Sequence, residues 1–169
     1  GGDVKFITKL GKDNHAEMAL SLYKNSGMET DAIIQDPNLT TGVAGIMIDE
    51  KTGDNIINVV PGAAADLSNK DIDKKINSIK NSNIFLTQLE TPPEVTSYAL
   101  NKAKESGNIT ILNPAPAAKI NANDFKSIDF FTPNEKEAGF YLNKNIQTNN
   151  DIEEAANDLL KKGIKNIVI

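Results

Sequence analysis

Two short apolar runs, each stopped by a polar loop stiffened with proline, restrict this chain more than any other feature. Ile109-Thr110-Ile111-Leu112 runs into Asn113-Pro114-Ala115-Pro116-Ala117, and Ile128-Asp129-Phe130-Phe131 runs into Thr132-Pro133-Asn134-Glu135-Lys136-Glu137. Runs of this length, rich in β-branched and aromatic residues, read as buried strands. Their polar ends then lie side by side. In open α/β sheets that carboxyl edge is where ligands bind.

The surrounding pattern supports such a sheet. Val4 to Leu10 reads as a strand, and a helix over 14–25 follows with Met18, Ala19 and Leu22 as its stripe. Asn83 to Gln88 is a strand, and Lys165 to Ile169 is the last one. Between the strands, helix starts are marked by Ser68-Asn69-Lys70-Asp71, Thr91-Pro92-Pro93-Glu94, Thr132-Pro133-Asn134-Glu135 and Thr148-Asn149-Asn150-Asp151, with Thr91 and Thr132 expected as caps. Strand–helix alternation with right-handed crossovers gives a parallel sheet.

One region breaks the rhythm. Ala32 to Gln35 is a short strand and Asp36-Pro37-Asn38 a turn. Thr41 to Asp49 alternates, with Ala44, Ile46 and Ile48 on one face; Glu50-Lys51-Thr52-Gly53 turns the chain, and Asn55 to Val60 returns with Ile57 and Val59 together. A small apolar-faced sheet either packs on its own domain or covers a ligand. We therefore divide the chain into an α/β segment over 1–31, a β-hairpin insertion over 32–61 and a second α/β segment over 62–169.

Composition removes several classes of function. Net charge is −5 and every strongly basic residue is Lys, which does not suit a nucleic-acid surface. There is no Cys for disulfides or thiolate metal sites, and no apolar run long enough to span a bilayer; a cytoplasmic location is expected. Walker A, G-x-G-x-x-G, G-x-S-x-G and H-E-x-x-H patterns do not occur. Lone His15, at the start of a helix, reads as a solvated residue.

Candidate chemistry collects at the strand ends. Glu90, leaving a buried strand, is either a carboxylate favoured by the helix dipole or an acceptor for a polyhydroxylated ligand. Asn134 and Glu137, three apart, share a helix face. They are either a solvated first turn or an amide and a carboxylate that position phosphate oxygens and water around Mg²⁺.

Thr41-Gly42-Val43-Ala44, Gln88-Leu89-Glu90-Thr91-Pro92, Leu112 to Ala117 and Thr132 to Glu137 together resemble the phosphofructokinase-B family of sugar kinases, its ribokinase branch in particular. The resemblance covers nearly the whole chain, in order. It implies a ribokinase-like three-layer α/β fold: a mostly parallel central sheet, helices on both faces and a small inserted β-sheet lid. It implies ATP-dependent phosphorylation of the 5-hydroxyl of D-ribose, with Mg²⁺ and a monovalent activator, usually K⁺. By matching position, Glu90 is the ribose-contacting carboxylate, Asn134 a nucleotide-site residue and Glu137 the acid that organises Mg²⁺ through water. Ala44, Ile46 and Val59 are apolar lid residues that close over the sugar, and the lid pairs subunits into a homodimer.

Two departures from the family pattern stand out: Ala16 replaces the last Gly of a G-x-D-x-x-G turn, and Gly62-Ala63-Ala64 replaces Gly-Ala-Asn. The resemblance places the family's Gly-Gly-Lys-Gly-Ala-Asn sugar segment upstream of Gly1. It places the Gly-rich anion hole and the Asp base downstream of Ile169. The chain thus reads as a central fragment, and we expect these residues alone not to turn over. Competing readings are a fructokinase-like, keto-deoxy sugar acid or adenosine kinase-like member of the family, or a non-catalytic dimerisation or ligand-binding module.

Overall fold

The computed structural model describes residues 2–169, which form two compact units, one up to Leu67 and one over Ser68–Ile169. In the first, β1 (Thr8–Leu10) pairs in parallel with β2 (Ile33–Gln35) across helix α1 (Asn14–Asn25). Asp13 caps α1, accepting from the Ala16 amide at 2.9 Å. The expected stripe of α1 exists but faces solvent: Met18 and Leu22 are exposed, and Ala16 is the buried residue.

The hairpin consists of β3 (Val43–Ile48) and β4 (Asn55–Val60), antiparallel, with Ala44 opposite Val59 and Ile46 opposite Ile57. Asp49 closes its tip by accepting from the Lys51 and Thr52 amides. Side chains alternate across a strand pair. Ala44, Ile46, Ile57 and Val59 therefore share one face, and Val43, Met47, Ile56 and Val60 the other. Every residue of both strands is exposed.

The second unit holds a four-stranded parallel sheet in the order β5 (Ile84–Thr87), β6 (Ile109–Leu112), β7 (Phe130–Phe131), β8 (Asn166–Ile167). Helices α4 (Pro93–Glu105), α5 (Glu135–Leu142) and α6 (Asn149–Leu160) bury Leu100, Ala138, Ala155 and Leu159 against Leu112, Phe131 and Ile128. Phe125, Phe131 and Tyr141 meet edge to face within this core. The short helices α2 (Asn69–Lys74) and α3 (Ile76–Lys80) are separated at Lys75 and bury Ile72 and Ile79. On the opposite sheet face Ile84, Leu86, Ile109 and Phe130 are exposed.

The caps of α2 and α6 are those the sequence predicts: Ser68 with Asp71 and Thr148 with Asp151 form capping boxes. The other two shift. Thr132 still donates its amide to Leu112 in the strand ladder, so α5 starts two residues later, with Asn134 as cap. At α4, Pro92 takes the cap position, and the Thr91 hydroxyl hydrogen-bonds the Thr96 hydroxyl at 3.0 Å instead.

At the amino edge of this sheet, Asp129 gathers three elements. Its carboxylate accepts from Lys104 at 2.6 Å, Lys165 at 2.7 Å and the Thr110 amide at 3.0 Å. Burial acts to raise its pKa, but the two ammonium groups and Thr110 outweigh this and hold it well below the usual carboxylate range.

Candidate functional site

Three polar loops meet at the carboxyl edge of the β5–β8 sheet. The Gln88–Thr91 loop leaves β5, and Leu89 donates its amide to Ala115 at 2.9 Å, which seats it against the loop after β6. Asn113 donates to Thr87 and Thr132 to Leu112, so the three strand ends stay in step as they enter their loops. Pro114 is fully buried beneath them, and the Ala115–Pro116 peptide is cis.

Glu90 is exposed, and among the described residues no hydrogen bond engages its carboxylate. Its amide donates to Gln88 Oε1 at 2.6 Å, and the Gln88 carbonyl accepts from the buried Thr96 hydroxyl at 3.4 Å. Gln88 thus fixes the backbone from which Glu90 projects. In the sequence Gln88 stands out only as part of the Gln88-Leu89-Glu90 run. Its spacing of two residues before Glu90 is the signal, since side-chain oxygens at that offset close local turns.

Asn134 and Glu137 do come together, although not as two neighbours on a helix face. Asn134 precedes the helix in extended backbone, and Glu137 is the third helical residue. The Glu137 amide donates to Asn134 Oδ1 at 2.8 Å, and the Asn134 amide donates to Glu137 Oε2 at 2.8 Å. Glu137 is buried, Asn134 exposed. The box leaves the Glu135 and Lys136 amides at the helix start without a hydrogen bond, as helix starts do, and places a carboxylate beside them. Tyr141, further along α5, donates its hydroxyl to the Ala118 carbonyl at 2.7 Å. Burial pushes the Tyr141 pKa up to about 12, so it remains a neutral donor that ties α5 to the chain following Asn113–Ala117.

Among the described residues no three His, Cys, Asp or Glu side chains cluster to cage a metal. A single buried carboxylate with one oxygen spent on an amide suits an ion that retains its waters, as Mg²⁺ does when nucleotide phosphates supply its other ligands. Ala44, Ile46 and Val59 stand together on one face of the hairpin in the first unit. Glu90, Asn134 and Glu137 lie along one edge of the sheet in the second.

Residues 1–169 match a family model described as pfkB family carbohydrate kinase. The chain belongs to that family. It is 37% identical over 169 residues to the bifunctional ribokinase/ribose-5-phosphate isomerase A of Fructilactobacillus sanfranciscensis, all of this chain against 31% of that protein. Over 167 residues it is 30% identical to the deoxyribokinase of Salmonella typhi, covering 98% of this chain and 54% of the relative. The solved structure of Arabidopsis thaliana ribokinase complexed with ribose and ATP matches with a TM-score of 0.85 at 26% identity, covering 96% of this chain and 53% of that one. This pfkB chain therefore spans from just under a third to just over half the length of these relatives, and it has the ribokinase-like α/β fold that the resemblance implies. None of its described helices is long and apolar enough to cross a membrane.

Proposed function

We propose that this chain is part of an ATP-dependent sugar kinase that phosphorylates D-ribose at its 5-hydroxyl. The observation that carries the reading is the carboxyl edge of the second unit's sheet, where an exposed carboxylate and a capped, acid-bearing helix start sit on loops held in step by the strand ends. The ribose-and-ATP complex of the Arabidopsis relative supports the choice of ligands.

In this reading Glu90 accepts hydrogen bonds from ribose hydroxyls, and the Gln88 contact holds its backbone for that purpose. The free amides at the start of α5 face a polyphosphate, because unpaired N–H groups and the helix dipole favour anions there. A carboxylate at the same point would repel phosphate unless a cation stood between them. Glu137 therefore orients water bound to Mg²⁺, and Asn134 fixes the Glu137 carboxylate through the reciprocal bonds. Mg²⁺, when bound, neutralises charge on the transferring phosphoryl group. Phosphoryl transfer depends on positioning and electrostatics, and these residues supply part of each.

The hairpin acts as lid and dimer contact. An isolated two-stranded hairpin is at best marginally stable in water, and this one is apolar on both faces. The Ala44–Ile46–Val59 face closes over the sugar, and the Val43–Met47–Ile56 face meets a second copy. The deoxyribokinase relative favours 2-deoxyribose as the alternative acceptor.

Titration of the chain with MgATP and with ribose, followed by amide NMR, tests the assignment. Shifts at Asn134 and Glu137 with MgATP, and at Gln88 to Glu90 with ribose, are expected. Absence of both at millimolar ligand overturns it. Competition between ribose, 2-deoxyribose and fructose ranks the acceptors.

A further inference from the structure

The hairpin has no support along its length, since every residue of β3 and β4 is exposed. Its direction therefore depends on its root, where Thr40–Thr41–Gly42 enters and Pro61–Gly62–Ala63 leaves. Both legs are held by one short stretch at the end of β1.

Lys9, buried, places its ammonium 3.5 Å from Asp36 on the entering side and 2.6 Å from Asp66 on the leaving side. The Gly11 amide donates to Thr41 Oγ1 at 3.0 Å. Asp13 Oδ2 accepts from the Thr41 amide at 2.8 Å while Oδ1 caps α1. The legs also touch directly. Ala63 donates to the Thr40 carbonyl at 2.8 Å, and a Cβ on Gly62, whose φ is +55°, would stand 2.5 Å from that same oxygen. A Cβ on Gly42 would collide with the Pro61 carbonyl. No bulkier residue fits at either crossing.

We infer that Asp13 is a positioning residue for the hairpin: its carboxylate joins the start of α1 to Thr41 and so fixes the angle at which the hairpin stands on its unit, with Lys9 tying the two legs together. This positioning role concerns the chain without ligand; its bearing on catalysis rests on the lid reading given above. The bonds from the Thr41 and Ala16 amides hold the Asp13 carboxyl at about 2, so it is ionised and accepting throughout the neutral range.

Asp13→Asn separates the two jobs of this side chain. Asn caps helices as well as Asp does, but an amide has one acceptor oxygen where the carboxylate uses two. The absence of cysteine allows nitroxide labels at Lys24→Cys on α1 and Lys51→Cys at the hairpin tip, both within the first unit. Pulsed electron paramagnetic resonance then reads the tip-to-helix distance distribution. A single narrow distribution is expected in the parent, and a broadened one in Asp13→Asn with helical circular dichroism unchanged. Thr41→Val, which removes the acceptor for Gly11, broadens it too, and Thr41→Ser, which keeps that oxygen, restores it. Parental widths in both Asp13→Asn and Thr41→Val overturn the inference. Adding ribose to the labelled parent tests the lid separately: a distribution unmoved by bound sugar counts against the lid and leaves the positioning role standing.

Discussion

Glu137→Gln removes a charge while leaving a shape in place, which makes it the sharpest probe of the site. Gln serves as well as Glu at the third position of a capping box, so the 2.8 Å bond from the Asn134 amide is retained. The loss to folding is the interaction of the carboxylate with the helix start, about 0.3–1 kcal/mol. With urea slopes of about 1–3 kcal/mol per molar, the unfolding midpoint moves by less than about 1 M. The loss to binding is larger. A hydrogen bond involving a charged group contributes about 1.5–3 kcal/mol, and each 1.4 kcal/mol is a factor of ten, so MgATP affinity falls by roughly 10- to 100-fold. Calorimetric titration with MgATP, run beside urea unfolding followed at 222 nm, gives both numbers on one preparation. Glu137→Ala, which also forfeits the bond to Asn134, loses about 1 kcal/mol more stability. Parental affinity in Glu137→Gln would refute the Mg²⁺ role and leave Glu137 as the capping-box partner of Asn134.

Glu90→Gln is expected to weaken ribose binding by at least tenfold with an unchanged melting temperature, because the exposed carboxylate makes no bond that folding depends on; unchanged binding by NMR titration removes Glu90 from the sugar site. Met47→Asp with Ile56→Asp, a directly opposed pair on the outer hairpin face, converts a dimer to monomer in sedimentation velocity; a parent that is monomeric at all concentrations refutes the pairing. Asp129→Asn leaves the Lys104 and Lys165 charges uncompensated and costs about 3 kcal/mol, the lower end for a buried pair because both lysines reach solvent. The folded pKa of Asp129 is depressed, so its contribution is fully present above the unfolded carboxylate value and is lost as pH falls toward the folded one. The stability gap between parent and variant should hold steady from pH 8 to 5 and close below about pH 4.

Strand and helix order were legible because apolar runs and caps are local signals. Ser68 with Asp71 and Thr148 with Asp151 mark their helices in four residues each. The Thr91 and Thr132 caps failed for a reason beyond local sequence: Thr132 remains in the ladder with Leu112, a partner twenty residues away. The stripe of α1 is present as a pattern, yet periodicity does not say what covers it, and Met18 and Leu22 are exposed. At the site, Glu90, Asn134 and Glu137 were visible as polar residues where strands end. The contact of Gln88 with the Glu90 amide is local, and its two-residue spacing is the signal for it, whereas the bond between Thr41 and Asp13 across 28 positions is hidden, because nothing in spacing announces a long-range bond from a side chain to an amide.

The parallel sheet assigns its two edges different kinds of residue. Asp129, Lys104, Lys165 and Thr110 interlock where strands begin, and Glu90, Asn113 and Asn134 stand on loops where strands end. If the proposed sugar site is right, substitutions in the loops explore new acceptors while the far edge keeps the strands in register. Libraries aimed at sugar preference should vary the former and spare the latter, and variants that fail to express should trace disproportionately to the amino edge.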